Sequence, residues 1–296
     1  NSMETPIICI GSVLWDVIGR TQTHSGLGGD VAGLIKEQAG GVAFNIAKLF
    51  SRKGCDTVML SHIGQDPAGC SLLEVMAGLG IEGQFAYRSA NLPTDRYMAI
   101  EDATGLIAAL ADANSLEAAG DAILRPLSDG RLGSPSAPFK GTMVIDGNLT
   151  ETLLARIAQD PLLQQGDLRI CSASPGKATR LRCFLGGARA TIYCNKHEAE
   201  FICASEFATA ADAAQAMTAA GAWRAIVTDG AKAAADVQHG LPLLVARPAK
   251  VPIKQITGAG DVFMAQHILA ELDGAPREAA LQSATNEAQN FVAGKK

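Results

Sequence analysis

A run of small residues, Thr257-Gly258-Ala259-Gly260-Asp261, feeds directly into the apolar segment 262–272. Where such a loop opens a helix, the first backbone N–H groups have no intrahelical partner and the helix dipole adds partial positive charge. That end stabilises an anion, above all the charge on a phosphoryl group in transfer. Only Gly and Ala let a backbone come that close. Asp261 then falls in the first turn, where its carboxylate can accept the proton of a hydroxyl held beside the anion. The same residues also fit a plain glycine-rich turn in which Asp261 stabilises a helix start.

Near the other end stands Gly40-Gly41-Val42-Ala43-Phe44-Asn45. Two glycines ahead of a helix permit close approach of backbone to a ligand. Asn45, on the first turn, offers both a donor and an acceptor, which suits vicinal hydroxyls; supporting its own loop is the alternative. Other phosphate and hydrolytic chemistries lack their residues. Gly176-Lys177 is followed by Ala178 and so makes no P-loop, and no G-x-G-x-x-G follows the first strand. Neither H-E-x-x-H nor G-x-S-x-G occurs.

The elements that must position these residues follow from hydrophobic periodicity and glycine stops. An apolar run over 7–10 ends at Gly11, and a helix over 42–53 is stopped by Gly54 as a left-handed cap. A strand over 57–63 and a helix over 67–79 come next. Further strands at 143–145, 168–171, 190–193 and 225–227 alternate with helices at 151–158, 178–185, 196–203 and 208–220, before two terminal helices. This alternation predicts an α/β fold, a doubly wound and mainly parallel sheet with helices on both faces. Two stretches break the rhythm. Segment 21–37 is rich in glycine, and 83–112 reads as consecutive strands at 84–88, 97–101 and 106–110. Hairpins cannot enter a parallel sheet without crossing connections. The expectation is one domain, 1–296, with a small β-sheet lid from segments about 17–38 and 84–112.

The chain has 296 residues, 48% hydrophobic and 19% charged, which is the balance of a globular protein and excludes extended disorder. No apolar run reaches the roughly 18 residues of a membrane span. With 25 Lys+Arg against 30 Asp+Glu and no basic cluster, neither nucleic acid nor a membrane is expected as a partner. Seven cysteines, an odd number without C-x-x-C spacing, point to reduced thiols in a cytoplasmic protein. Asn1-Ser2-Met3-Glu4 has no basic region followed by an apolar core, so no secretory signal is expected, and Asn1-Ser2 reads as a remnant of expression.

In this order and separation, Gly40-Gly41-x-x-x-Asn45 and Thr257-Gly258-Ala259-Gly260-Asp261 resemble the two signatures of the ribokinase (PfkB) family of carbohydrate and nucleoside kinases, over nearly the whole chain. The resemblance implies a ribokinase-like fold, ATP as donor, Mg²⁺, a monovalent cation such as K⁺, and transfer to a primary hydroxyl. It implies that Asp261 is the general base and that Gly258, Ala259 and Gly260 form the anion hole. Gly11-Ser12-Val13-Leu14-Trp15-Asp16 resembles the first strand and the Asp that holds sugar hydroxyls, although a lone Asp after a strand also forms turns. Asn195-Lys196-His197-Glu198 is similar to the family's N-x-x-E element, linking Glu198 to Mg²⁺ and phosphate. It equally reads as a helix N-cap with its capping-box acid. Thr228 and Gly230, in Val227-Thr228-Asp229-Gly230, resemble the turn that contacts ATP phosphates, with Thr257 and Asn195 on the same side.

The sequence departs from the family pattern at Gln255, usually Asp, and at Ala233, usually Gly. Within the family, segments 94–105 and 111–114, Asp146-Gly147-Asn148 with Glu151, Lys177 and Gln255 are similar to the pseudouridine kinase branch. That implies a nucleoside substrate, with Lys177 on the acceptor side. Tyr97 then either stacks on a uracil ring or belongs to the lid core. A kinase of ribose or a ketohexose derivative, and a non-catalytic sensor on the same scaffold, are the alternatives. Exposed lid edges imply a homodimer.

Overall fold

The computed structural model describes residues 5–24 and 26–295; residues 1–4, and the reading made of them, lie outside that range. Among the described residues the main sheet has nine strands in the order β13-β12-β11-β10-β9-β8-β1-β4-β5. They are β1 (Ile7–Ile10), β4 (Thr57–Leu60), β5 (Ile81–Glu82), β8 (Thr142–Asp146), β9 (Asp167–Cys171), β10 (Ala190–Asn195), β11 (Arg224–Asp229), β12 (Lys232–Gln238) and β13 (Leu244–Ala246). From β5 to β11 all pairings are parallel, and β12 and β13 add an antiparallel edge. Period-two alternation sends Ile8 and Ile10 into one core and Ile7 and Cys9 into another. The first lies beneath α4 (Glu151–Gln159), α5 (Lys196–Cys203) and α6 (Ala210–Ala219). The second is covered by α1 (Val42–Arg52), α2 (Pro67–Gly78), α7 (Ala259–Leu272) and α8 (Arg277–Val292). The short helix α3 (Asn114–Ala119) precedes a 3₁₀ segment at Gly120–Leu127.

Three expectations change in the structure. Residues 84–88 form no strand beyond one isolated bridge between Tyr87 and His62. The Glu82 carboxylate accepts from the Gln84 amide and Ala86 bonds back to Gly83, so a turn replaces the ladder. Helix 178–185 is a run of 3₁₀ turns, Pro175–Leu185. Its buried residues Ala178, Leu181 and Phe184 recur every third position, the 3₁₀ period, and Arg180 and Arg182 donate to carbonyls of neighbouring segments. The antiparallel strands β12 and β13 were not anticipated, because Lys232-Ala233-Ala234-Ala235 has the composition of a helix rather than a strand.

A second, four-stranded sheet has the order β3-β2-β6-β7, from β2 (Leu14–Arg20), β3 (Leu34–Gly40), β6 (Arg96–Asp102) and β7 (Gly105–Asp112). It starts earlier than position 17, so Asp16 sits inside a strand rather than in a turn. Its root is pinned by polar groups. The Trp15 indole donates to Ala68 O at 2.8 Å. The Asp66 carboxylate accepts from both the amide and the hydroxyl of Thr94 and caps α2 through Gly69 N. Asp95, directly before β6, caps α3 through the amides of Ser115 and Leu116, and burial pushes its carboxyl up to about 6.

The far end of α7 is clamped by a buried ionic network. Glu271 accepts from Arg224 at 2.8 and 3.0 Å and from Arg169 at 2.8 Å, while Arg224 also grips Asp236 on β12. Burial alone would raise the Glu271 carboxyl, but Arg224 and the neighbouring positive charges outweigh it and hold it down at about 2. Removing one partner of such a network strands the others without water. Glu271→Ala is therefore expected to lose about 3 kcal/mol of unfolding free energy, read from urea denaturation.

Candidate active site

The sequence-predicted residues converge on the carboxyl edge of the parallel strands, where open α/β sheets hold ligands. Register aligns Thr228 with Asn195, and Cys171 with both Tyr193 and Asp146, along that edge. At its centre is Asp146, the last residue of β8, fully buried. One carboxylate oxygen accepts from Ser12 N at 3.0 Å and Ala43 N at 3.2 Å, and the other from the backbone and side-chain amides of Asn148. Burial raises its pKa while those donors pull the other way. The exit of β1, the entrance of α1 and the turn after β8 therefore share one carboxylate. Gly11 makes room for it, since any Cβ there would collide with the Asp146 side chain.

Gly41 caps α1 at φ +106°, and a Cβ on it would strike Ser12 O. Gly40 lies against the Asp16 carboxylate with no space for a Cβ between them. Asp16 points from β2 to the face that register also gives to Tyr97 on β6, and burial raises its pKa. Met98 faces the other way and is exposed. Asn45 is half-buried on the first turn of α1. Lys177 reaches the same region through Asn148, its ammonium donating to Asn148 Oδ1 at 2.9 Å.

From the opposite side comes α7. Gly258 caps it in the left-handed region at φ +97°, and the first intrahelical bond runs from Val262 N to Gly258 O. The Gly260 and Asp261 amides precede that bond, and a Cβ on Gly260 would meet nothing within 4 Å. Asp261 is half-buried. Burial and the charge of Asp146 push its carboxyl up to about 7 against the pull of Lys48 on α1. Gly260 also borders a cavity of about 430 Å³, whose walls include Thr228, Gly230, Phe263, Ala288 and Val292. Ala259 lines this cavity too, whereas Thr257 is exposed on the loop ahead of it. Asn195 and Glu198 close a capping box at the start of α5, with bonds of 2.7 and 2.9 Å, and burial raises the Glu198 pKa.

The cavity reaches the entrance of α7 at Ala259 and Gly260, and the fold around it agrees with what the chain is similar to. Residues 4–294 match the pfkB family of carbohydrate kinases. The chain belongs to that family. It is accordingly a carbohydrate kinase, a phosphotransferase with an alcohol group as acceptor. A carbohydrate kinase from Agrobacterium tumefaciens superposes with a TM-score of 0.81 at 25% identity, covering 96% of this chain and 89% of that one. Arabidopsis thaliana ribokinase, in complex with ribose and ATP, superposes at 0.80 with 18% identity over 98% of this chain and 93% of that one. Thermotoga maritima ribokinase does so at 0.73 with 22% identity over the same shares. No curated protein matches the sequence.

Three parts of this kinase site escaped the sequence. The role of Asp146 as an acceptor of backbone amides was not marked, although Asp146-Gly147-Asn148 stood out as similar to one branch of the family. Lys48 reads as an ordinary surface lysine. The far wall of the 430 Å³ cavity comes from α8 and the loop before α7, which have no motif. Gln255 has a place as well: its side-chain amide donates to Phe291 O at 2.8 Å, and the Phe291 ring lies beneath Gly258. The pattern-breaking residue thereby ties the loop before α7 to the end of α8. Asp146→Ala removes the acceptor for three backbone amides at once. It is expected to cost at least about 3 kcal/mol, measured by chemical denaturation.

Proposed function

We propose that this kinase transfers the γ-phosphoryl group of ATP to a 5′-type primary hydroxyl, with pseudouridine as acceptor and pseudouridine 5′-phosphate as product. The observation that carries this reading is the position of Asp261, on the first turn of α7 directly after Gly260, whose amide precedes the first intrahelical bond and which borders the 430 Å³ cavity. Asp16, Gly40, Gly41 and Asn45 hold the hydroxyls of the acceptor. Tyr97, on the Asp16 face, stacks on the base, and Lys177 supplies a donor to it. Asp261 takes the proton from the acceptor hydroxyl as its oxygen bonds to the γ-phosphorus and the bond to the β-phosphate oxygen breaks. The amides of Gly258 and Gly260 hold the charge that develops, whereas that of Ala259, expected beside them, is donated to Ile256 O at 3.0 Å. Thr228, Gly230, Asn195 and Thr257 serve the nucleotide.

The donor set fits a metal carried on phosphates. Among the described residues no three acidic, His or Cys side chains gather into a cation cage, and one Glu198 oxygen is engaged by Asn195 N. Mg²⁺ suits such a site, because it keeps waters and phosphate oxygens and needs few protein ligands. When bound, it neutralises phosphate charge, and Glu198 orients its water shell.

The small sheet supports a homodimer. Its face opposite Asp16 presents Ile35, Met98, Ile100 and Leu110, with Ile35 and Leu110 78% and 74% exposed. A second copy of the chain covers this apolar patch. Leu110→Glu is expected to halve the mass seen by light scattering; a wild-type monomer at micromolar concentration overturns the dimer.

Asp261→Asn is expected to lower kcat at least ~10²-fold with acceptor binding largely kept, followed by ADP release. Because the base must be ionised, kcat/KM of the wild type is expected to rise with pH through about 7. For the acceptor, pseudouridine, uridine, ribose and ketohexose phosphates are compared in the same assay. A higher kcat/KM for ribose than for pseudouridine overturns the nucleoside reading.

A further inference from the structure

Helix α8 ends in a Schellman turn, closed by the left-handed Gly294 at φ +72°. Ala293 N bonds to Gln289 O at 2.9 Å, Lys295 N to Asn290 O at 2.9 Å and Gly294 N to Phe291 O at 3.0 Å. The segment ahead of α7 supplies the other donors. Val292 O accepts from Lys254 N at 2.8 Å and from Gln255 N at 3.2 Å, and Phe291 O accepts the Gln255 side-chain amide at 2.8 Å. A carbonyl has two lone pairs, so Phe291 O and Val292 O are both filled. The last carbonyls of a helix carry partial negative charge and attract a cation where nothing else meets them. Here N–H groups of the chain itself meet all four.

The family resemblance implies a monovalent cation, and the family pattern usually has Asp where this chain has Gln255. The difference is one of hydrogen-bond polarity. A carboxylate only accepts, so against Phe291 O it would set two oxygens face to face with no proton between them, an arrangement that a hard cation stabilises. The Gln255 amide brings its own N–H. Because Phe291 O can only accept, the nitrogen of that amide and not its oxygen faces the carbonyl. At 2.8 Å the two groups are in direct contact, with no room for an ion between them. A monovalent cation does not fit this junction as the chain builds it.

We infer that Gln255 stands in for a monovalent cation: its side-chain amide fastens the loop ahead of α7 to the end of α8, and the kinase works without K⁺. What the fastening holds is the entrance of α7. The Phe291 ring lies beneath Gly258, the left-handed cap, and Ile253 and Ile256 from the same loop line the 430 Å³ cavity together with Val292. A loop held loosely there would disturb both the cavity wall and Gly260 beside it. Gln255 is a positioning residue, since its amide touches backbone and not the reacting atoms. The identity of the acceptor and the role of Asp261 play no part in it.

The test exchanges the full chain into buffers whose added monovalent cation is either tetramethylammonium or K⁺, at equal ionic strength. Thermal unfolding and calorimetric binding of ATP with Mg²⁺ are read in both. The wild type is expected to show the same melting temperature and the same ATP affinity in the two salts. Gln255→Asp and Gln255→Glu each set a carboxylate against Phe291 O. They are expected to melt a few degrees lower in tetramethylammonium, to regain that loss in K⁺, and to bind ATP several-fold more tightly with K⁺ present. Gln255→Leu, with neither donor nor acceptor, is expected to melt lower by the same amount in both salts. A wild type that gains stability or ATP affinity from K⁺ overturns the inference, and so does indifference to K⁺ in both carboxylate variants. If one of these variants does not unfold cooperatively the other decides, and if neither does the wild-type comparison decides alone. A failure of pseudouridine to be phosphorylated counts against the proposed acceptor and leaves this result standing.

Discussion

At the carboxyl edge of the sheet, one buried carboxylate receives backbone amides from three separate parts of the chain. Asp146 bonds Ser12 after β1, Ala43 at the start of α1 and Asn148 after β8, and Gly11 has no side chain because nothing larger fits beside it. A fully buried acid is costly unless its lone pairs are filled, and here the donors that fill them are the segments that must meet. The same residue reaches outward through Asn148 to Lys177. It also sets the electrostatic background for Asp261. Shape and charge in this site therefore have a common origin.

That arrangement explains why a carboxyl group near the start of a helix, where it should be strongly acidic, titrates instead near neutrality. The α7 entrance favours the anion, yet burial and Asp146 outweigh it. The far end of the same helix is held by Arg224 and Arg169 through Glu271. Helix α7 is thus fixed at its C-terminal end by ion pairs, while at its N-terminal end Ala259 N is taken by Ile256 O and the Gly260 and Asp261 amides precede the first intrahelical bond. The loop ahead of it is tied down by Gln255 and by the Phe291 ring under Gly258.

Much of this was readable in advance, and the unreadable parts share a cause. Local chemistry announced the small-residue loop that opens α7, the two glycines ahead of α1, and the capping box of Asn195 with Glu198. Each depends on a few consecutive residues, so the spacing alone carries the information. The roles of Asp146 and Lys48 depend on what lies across the fold: the first is marked only by the likeness of Asp146-Gly147-Asn148 to one branch of the family, the second reads like any solvated lysine. The 3₁₀ path of Pro175–Leu185 was written in the three-residue spacing of Ala178, Leu181 and Phe184, a period easily mistaken for that of an α-helix. The β12–β13 edge lay hidden in an alanine run whose burial, not its propensity, makes it a strand. The cavity wall from α8 had no local mark because its residues are ordinary apolar side chains until the chain folds back on itself.

The root of the small sheet has a mechanical implication. Asp95 precedes β6 by one residue, and its carboxylate holds the first turn of α3, which begins two residues beyond β7. Both feet of the β6–β7 hairpin stand on a single side chain, and β2 is fastened beside them by Trp15. A leaf rooted in this way cannot slide one strand past another without tearing those bonds. Any displacement of the sheet about that root would carry Asp16 and Tyr97, paired in register, together.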